Sequence, residues 1–221
     1  MIGVYNYTVV LTYLSLISGT LGIAITLSGQ GHPFIGVFFL LFSGLCDAFD
    51  GKVARTKHNR SEIEIKFGIQ IDSLSDLVAF GVLPACIGLS MFRLLSIRRG
   101  GVHNSYGILV FAIMALYVLA GMIRLAYFNV TEEIRQKSET SVRKTYTGLP
   151  ITAASLIFPT ILLIQYLVPM DITPVYLAVM LFVAVLFVSK IRITKPGLRG
   201  ILIMIGIGAA EFIALILVRA F

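Results

Sequence analysis

The chain has 221 residues, of which 57% are hydrophobic and only 13% are charged. A soluble domain carries about 25% charged residues, so this composition excludes a soluble globular protein and indicates one that crosses a membrane several times. The net charge of +7 lies in short loops between apolar segments, which is typical of membrane topology and lipid attraction rather than of nucleic-acid binding.

Seven apolar spans are predicted in chain order. Each approaches the ~20 residues that a helix needs to cross the hydrocarbon core. They cover residues 8–28, 33–54, 69–92, 105–128, 150–168, 172–189 and 199–219. The sequence therefore predicts an all-α polytopic membrane protein. Its two cysteines, Cys46 and Cys86, fall within apolar spans, so buried thiols are expected rather than a disulfide.

The positions of lysine and arginine predict the orientation of the spans. The loops that follow the second, fourth and sixth spans are basic, whereas the connections after the first and fifth spans carry no Lys or Arg. These basic loops and the N-terminus are expected in the cytoplasm; the arginines after the third span, Arg93, Arg98 and Arg99, are an exception. The N-terminus has no basic stretch or small-residue cleavage site, so no removable signal peptide is expected.

Four aspartates interrupt the predicted cytoplasmic ends of the second and third spans. Asp47 and Asp50 are spaced i, i+3, and Asp72 and Asp76 are spaced i, i+4, so each pair shares one helix face. A carboxylate at membrane depth costs about 2.5–3.5 kcal/mol, and four facing carboxylates repel one another unless cations lie between them. Carboxylate oxygens suit Mg²⁺ or Mn²⁺, which predicts a metal site at the membrane interface.

Small residues and one arginine accompany these acids. Gly51 and Ala54 follow Asp50, and Gly68 precedes Asp72 by one turn. Arg55 offers a forked donor for phosphate oxygens. This combination suits a pyrophosphate ligand held next to metal ions. Close helix packing is the alternative explanation, and it accounts for the glycines but not for the acids.

A family signature is recognisable in Asp47-Ala-Phe-Asp50-Gly51-Lys-Val-Ala54-Arg55 and, after a spacer, Gly68-Ile-Gln-Ile-Asp72-Ser-Leu-Ser-Asp76. It resembles the D-x-x-D-G-x-x-A-R and G-x-x-x-D-x-x-x-D motifs of the CDP-alcohol phosphotransferases. The spacer 56–67 is longer than is common in that family by about one helical turn. Three further segments resemble the phosphatidylserine synthase branch: residues 67–85, Arg124-Leu-Ala-Tyr-Phe-Asn129 and residues 147–154, which include Gly148-Leu-Pro150. Tyr127 and Thr152 depart from the pattern of that branch, which has an arginine and a proline at these positions. The resemblance covers about residues 8–190, and the first helix is its weakest part, with Thr12, Ser15 and Gly19 as the nearest polar and small residues.

The resemblance implies roles for the site residues. Two divalent ions, Mg²⁺ or Mn²⁺, are expected to be held mainly by Asp47, Asp50 and Asp72, while Asp76 completes the site and acts as the general base. The nucleotide portion is expected to contact Gly51, Ala54 and Arg55, beside the space left by Gly68. Arg124 is the leading candidate for binding the serine carboxylate; a purely structural salt bridge to an aspartate is its alternative. Weaker candidates are Gln70, Asn129 and Thr147.

The resemblance also implies substrates, location and assembly. CDP-diacylglycerol and L-serine are the expected substrates and CMP is a product, at a site facing the cytoplasm in the cell membrane, in contact with membrane lipid and without nucleic acid. Residues 1–190 are expected to form a six-helix core, and residues 191–221 a cytoplasmic loop and an additional transmembrane helix. A homodimer is expected, built from small residues of the third and fourth spans: Gly81, Ala85, Gly88, Ala112, Ala115, Ala120 and Gly121.

Several alternatives stay open at this point. The acceptor could be glycerol phosphate or inositol phosphate, and the donor could be an archaeal ether lipid. A divalent-metal transporter would also use acids, although acids near the bilayer middle and broken or repeated helices are expected there. The loop cations Lys57, Arg60, Arg143 and Lys144 either gather anionic lipid head groups or only set orientation. Glu211, in the last span, pairs with Arg219 or marks a dimer contact.

Overall fold

The computed structural model describes residues 2–28, 32–98, 104–138, 145–168, 170–194 and 198–220. Within these ranges the chain forms α1 Val10–Leu27, α2 Pro33–Arg55, α3 Glu62–Asp76, α4 Leu83–Arg98, α5 Asn104–Ser138, α6 Ala154–Leu167, α7 Thr173–Val188 and α8 Leu198–Ala220. A π-helical segment, Leu77–Val82, joins α3 to α4 in one continuous rod. Five helices in the described residues are long and apolar enough to cross a membrane, and α6 and α7 are shorter apolar helices. The prediction of an all-α polytopic membrane protein is confirmed.

The helix that carries Asp72 begins before the predicted start of the third span. Ser61 caps α3: its hydroxyl oxygen accepts from the Glu64 backbone N–H at 3.2 Å, and the Ser61 N–H donates to the Glu64 carboxylate at 2.9 Å. This reciprocal capping satisfies donors that otherwise lack partners at a helix start. The long spacer therefore lengthens α3, and Lys66, expected in a loop, lies on the helix. Helix α5 likewise continues past the predicted end of the fourth span and carries Arg135.

Small residues allow α1 to approach its neighbours closely. A Cβ on Gly22 would lie 2.8 Å from the Cβ of Phe39 in α2, and one on Gly19 would lie 3.1 Å from the Cα of Ala79 in the π segment. Without a hydrophobic driving force between helices in lipid, such close packing supplies much of the association energy. As a result, the aspartate-bearing helices α2 and α3 are held against α1.

The π segment has an identifiable cause in Pro84. Proline has no N–H, so in an α-helix the carbonyl oxygen of Phe80, four residues earlier, loses its normal donor. The hydroxyl of Tyr117 in α5 donates to that oxygen at 2.6 Å, and the hydroxyl of Tyr176 in α7 donates to the Pro84 oxygen at 2.9 Å. Both tyrosines are fully buried. These hydrogen bonds join α5 and α7 to the rod on the C-terminal side of Asp76.

Replacing Tyr117 with phenylalanine is expected to destabilise the protein by about 1–3 kcal/mol, because the buried Phe80 carbonyl then loses its side-chain donor. The unfolding free energy in detergent measures the effect. Tyr106→Phe is the matched control, since Tyr106 lies on the same helix but is exposed. Equal stability of Tyr117→Phe and Tyr106→Phe would contradict this account of the π segment.

A short antiparallel ribbon, which the sequence did not predict, lies outside the helices. Strand β1, Thr145–Thr147, pairs with β2, Arg192–Thr194. The ribbon ends at Gly148, whose φ of +77° is in the left-handed region that glycine tolerates. A Cβ there would lie 2.6 Å from the Phe187 carbonyl oxygen. Glycine is therefore required in the Gly148-Leu-Pro150 segment for a local structural reason, which is to lead the chain from the ribbon into α6.

Helix α8 packs on the outside of the other helices. Of its most apolar stretch only 11% is buried, compared with 67% for the rod. The phenyl rings of Phe212 and Phe38 in α2 meet edge to face at 5.1 Å between centroids, and the buried Glu211 carboxyl is hydrogen-bonded to Thr160 in α6. The anticipated partner Arg219 has a side chain outside the described part of the structure.

Most of the small residues that were expected at a dimer contact lie inside the protomer, so this prediction is wrong for them. Ala85 and Ala120 are buried within the protomer. The structure also buries Gly81. A Cβ on Gly88 would lie 3.0 Å from the Tyr176 ring, and one on Gly121 would lie 2.9 Å from Ile151. These residues serve packing between helices of one chain; Ala112 and Ala115 remain exposed on α5.

Candidate metal and substrate site

The structure brings the predicted acids together at one end of the helices. Asp47 and Asp50 at the end of α2 and Asp72 in α3 are half-buried, and each offers a carboxylate oxygen within 4.8 Å of the other two. Asp76 lies one turn further along α3, is only 7% exposed, and lies close to Asp47. The cluster forms because α2 ends and α3 begins on the same side of the membrane, with each pair on one helix face.

Helix α1 closes the site from a third side. The Thr12 hydroxyl donates to the Asp50 carboxylate at 3.2 Å, and the Ser75 hydroxyl donates to the Thr12 carbonyl at 3.1 Å. Ser75 is thus a packing hydroxyl, while Thr12 contacts an acid of the cluster. The sequence singled out Thr12 only as a nearby polar residue, because its contact spans most of two helices in the chain and has no local spacing to reveal it.

The small residues leave one side of the cluster accessible. Nothing lies within 4 Å of the position that a Cβ would take on Gly68, and a Cβ on Gly51 would be 3.4 Å from the guanidinium of Arg55. Ala54 is half-buried and Arg55 is exposed. An anionic ligand can therefore approach the acids past a cationic group without a steric barrier on α3.

Helix α5 borders the site beside α3, and two side-chain contacts define its register relative to the rod. It runs antiparallel to the rod: the Asn129 amide donates to the Ser73 hydroxyl at 2.8 Å, and Tyr117 donates to the Phe80 carbonyl. Arg124 lies between these two contacts, level with Asp76. Its guanidinium is 5.3 Å from the centroid of the Phe128 ring and within electrostatic reach of both Asp47 and Asp76.

Other predicted contributors lie elsewhere or have other partners. Lys57 forms an ion pair with Glu64 at 2.6 Å, and the same carboxylate oxygen accepts from Asn6 at 2.7 Å. Gln70 is exposed on α3 and Thr147 belongs to β1. Arg143 and Lys144 lie outside the described residues. Lys57 therefore has a partner within the protein.

A model of the CDP-alcohol phosphatidyltransferase family matches residues 5–191. The chain belongs to this family. It is 34% identical over 148 residues to a CDP-diacylglycerol–serine O-phosphatidyltransferase of Saccharomyces cerevisiae, covering 63% of this chain and 48% of the relative. It is 31% identical over 176 residues to the protein of that name from Helicobacter pylori, covering 78% and 66%.

An archaeal relative is also similar. The chain is 32% identical over 185 residues to an archaetidylserine synthase of Methanothermobacter thermautotrophicus, covering 82% of this chain and 66% of that protein. The matched region thus spans between about half and two-thirds of the length of these relatives.

The donor atoms of the cluster fit the metal dependence of the family. Asp47, Asp50 and Asp72 present oxygen ligands close enough to share one ion, and Asp76 adds a fourth carboxyl beside them. Hard divalent cations prefer this all-oxygen set. Uncompensated, the same four carboxyls would repel one another at close range, so a bound cation also explains why the chain tolerates them here.

Proposed function

We propose that this integral membrane protein transfers the phosphatidyl group of CDP-diacylglycerol to the hydroxyl of L-serine, which yields phosphatidylserine and CMP. The carboxylate cluster is the observation that carries the proposal, because Asp47, Asp50 and Asp72 converge within 4.8 Å at the family motif. Two of the relatives described above are named for this serine reaction.

In the proposed mechanism, Asp47, Asp50 and Asp72 hold two Mg²⁺ or Mn²⁺ ions, with Asp76 completing the site. When bound, these ions supply positive charge that stabilises the pyrophosphate and makes CMP a better leaving group. Asp76 accepts the proton of the serine hydroxyl. The serine oxygen forms a bond to the β-phosphorus as the bond from that phosphorus to the CMP oxygen breaks. Burial of Asp76 keeps bulk water, a competing nucleophile, away from the base.

The nucleotide is proposed to enter on the accessible side of the cluster. Arg55 offers a forked cation to phosphate oxygens, and Gly51, Ala54 and Gly68 leave room for the ligand to reach the acids. We propose that this side faces the cytoplasm, and the basic loops support this orientation through the positive-inside rule. We propose further that residues 1–190 form the catalytic core of a homodimer, and that residues 191–221 add a helix without a role in the chemistry.

An acceptor assay tests the proposal. Purified protein is incubated with Mg²⁺ or Mn²⁺, with one donor (CDP-diacylglycerol or its archaeal ether-linked counterpart), and with one acceptor at a time: L-serine, glycerol phosphate or inositol phosphate. CMP release and a phosphatidylserine product with serine alone are expected. CMP release only with a phosphorylated acceptor would reject serine as the substrate, and release only with an archaeal ether-linked donor would reject the diacyl lipid. Metal flux into liposomes without CMP release would point to a transporter.

Arg124 is proposed to bind the serine carboxylate, because it places a guanidinium level with the base Asp76. Arg124→Lys is expected to raise the serine KM about tenfold or more while the KM for CDP-diacylglycerol changes little, since a lysine cannot form the bidentate contact. Steady-state CMP release at varied serine and varied lipid measures both constants. An unchanged serine KM with a lowered thermal midpoint would show that Arg124 only forms a structural ion pair.

A further inference from the structure

The strongest feature that the proposed mechanism leaves unused is a polar pair between α3 and α5. Asn129 and Ser73 are both half-buried, and the Asn129 Nδ2 donates to the Ser73 Oγ at 2.8 Å. Ser73 directly follows the metal-site residue Asp72. The pair therefore lies beside the site, at the level of the acids, between α3 and α5.

The hydrogen bond between Asn129 and Ser73 leaves two hydrogen-bond acceptors available to a ligand. An asparagine amide has two donor hydrogens and an acceptor oxygen, and a serine hydroxyl has two lone pairs. Because Asn129 donates its nitrogen to Ser73, its Oδ1 is left as an acceptor, and among the described residues no other hydrogen bond engages it. The Ser73 oxygen keeps a second lone pair. Two neutral acceptors beside a carboxylate cluster suit a cation with several N–H donors.

Arg124 lies on the same helix as Asn129 but on another part of its surface. The two residues are five positions apart, which corresponds to about 7.5 Å of rise and about 140° of rotation. Arg124 is level with Asp76, and Asn129 is level with Ser73, about one turn away on α3. The two side chains therefore offer separate polar contacts along α5, a cation at Arg124 and a neutral acceptor at Asn129.

We infer that Asn129 and Ser73 form the subsite for the ammonium group of an amino-acid acceptor. The inference rests on the proposed serine-transfer function and adds to it the element that selects against acceptors without an ammonium group. Glycerol phosphate and inositol phosphate have no cationic group to place against Asn129, so the pair would not contribute to their binding. The competing role, a polar tie that only joins α3 to α5, predicts no dependence on the acceptor's charge.

The test compares purified full-length wild type with Asn129→Ala and Ser73→Ala in the CMP-release assay. A hydrogen bond to a charged group contributes about 1.5–3 kcal/mol, which corresponds to roughly a tenfold to hundredfold change. We expect Asn129→Ala to raise the serine KM by about tenfold or more at an unchanged KM for CDP-diacylglycerol. Ser73→Ala is expected to have a smaller effect in the same direction. Thr131→Ala is the matched control, because its hydroxyl bonds only within α5, and its constants should equal those of the wild type.

Two serine analogues, measured as competitors of serine, separate recognition from structure. Ethanolamine keeps the ammonium and lacks the carboxylate, so its inhibition constant should rise in Asn129→Ala. 3-Hydroxypropanoate keeps the carboxylate and lacks the ammonium, so its inhibition constant should stay the same. Equal weakening of both analogues, or an unchanged serine KM, would overturn the subsite. Should Asn129→Ala fail to fold, the smaller Ser73→Ala change carries the same comparison.

Different results would remove the proposed function and the proposed subsite. Wild-type protein that releases no CMP with L-serine would remove the proposed function and the subsite with it. Wild-type protein that uses serine, together with an Asn129→Ala variant that keeps the wild-type serine KM, would remove the subsite alone.

Discussion

Replacing Asp72 with asparagine is expected to reduce CMP release by about 1,000-fold or more. Asp72 supplies one of the three oxygen ligands that converge within 4.8 Å, and it is the only one of the three from α3. The amide is a neutral and weaker ligand for a hard cation. Charge stabilisation by a metal contributes several kcal/mol to catalysis, and each 1.36 kcal/mol is worth a factor of ten in rate.

Two measurements on the same preparation check this result. CMP release gives the rate, and Mn²⁺ titration gives the metal affinity, which should fall together with the rate. Asp171→Asn is the matched control, because Asp171 lies in the α6–α7 connection and accepts from the Thr173 N–H at 2.8 Å, a contact that asparagine preserves. Wild-type Mn²⁺ affinity in Asp72→Asn would show that the acids do not hold the metal.

Replacing Asp76 with asparagine is expected to lower turnover by about 100- to 10,000-fold, the range for loss of a general base. The substitution keeps the size of the side chain and removes the proton acceptor. The affinity for CDP-diacylglycerol should change little, because the lipid pyrophosphate is proposed to be held mainly through Asp47, Asp50 and Asp72. Lipid binding is measured separately from turnover, for example by protection against thermal unfolding in the presence of metal.

The two variants are designed to be distinguished from each other. Asp72→Asn should lose metal binding and turnover, whereas Asp76→Asn should lose turnover and still bind the metal and CDP-diacylglycerol. Near wild-type turnover in Asp76→Asn would reject Asp76 as the base. Loss of metal binding in Asp76→Asn would instead make it an essential ligand, and the base would then have to be sought among the other groups at the site.

The motif residues were predictable because their geometry is local. Asp47 and Asp50 share a face of α2 by an i, i+3 spacing, and Asp72 and Asp76 share a face of α3 by i, i+4, so the helical period alone aligns each pair. The cost of carboxylates in apolar spans then requires compensation, and a cation is the simplest source. Hydrophobic length similarly predicted the spans, since a helix must satisfy its own backbone in lipid.

Contacts between distant segments were not predictable in this way. Thr12 meets Asp50, Asn129 meets Ser73, and Tyr117 meets the Phe80 carbonyl only after α1, α3 and α5 have packed. The small residues of the third and fourth spans illustrate the same point. Gly88 and Gly121 were expected at a dimer contact, but small residues favour any close helix approach, and here the neighbours are Tyr176 and Ile151 of the same chain.

The sequence by itself therefore determined the membrane environment, the apolar helices and the paired acids, because these follow from hydrophobic length and the helical repeat along one segment. Only the tertiary structure decided which groups the acids meet: the hydroxyl of Thr12 contacts Asp50, and the guanidinium of Arg124 lies within electrostatic reach of Asp47 and Asp76. Which side chains meet depends on the rotation and register of whole helices. That register is set by many packing contacts at once, including the hydrogen bond of Tyr117 at the π segment, and by no single spacing in the chain.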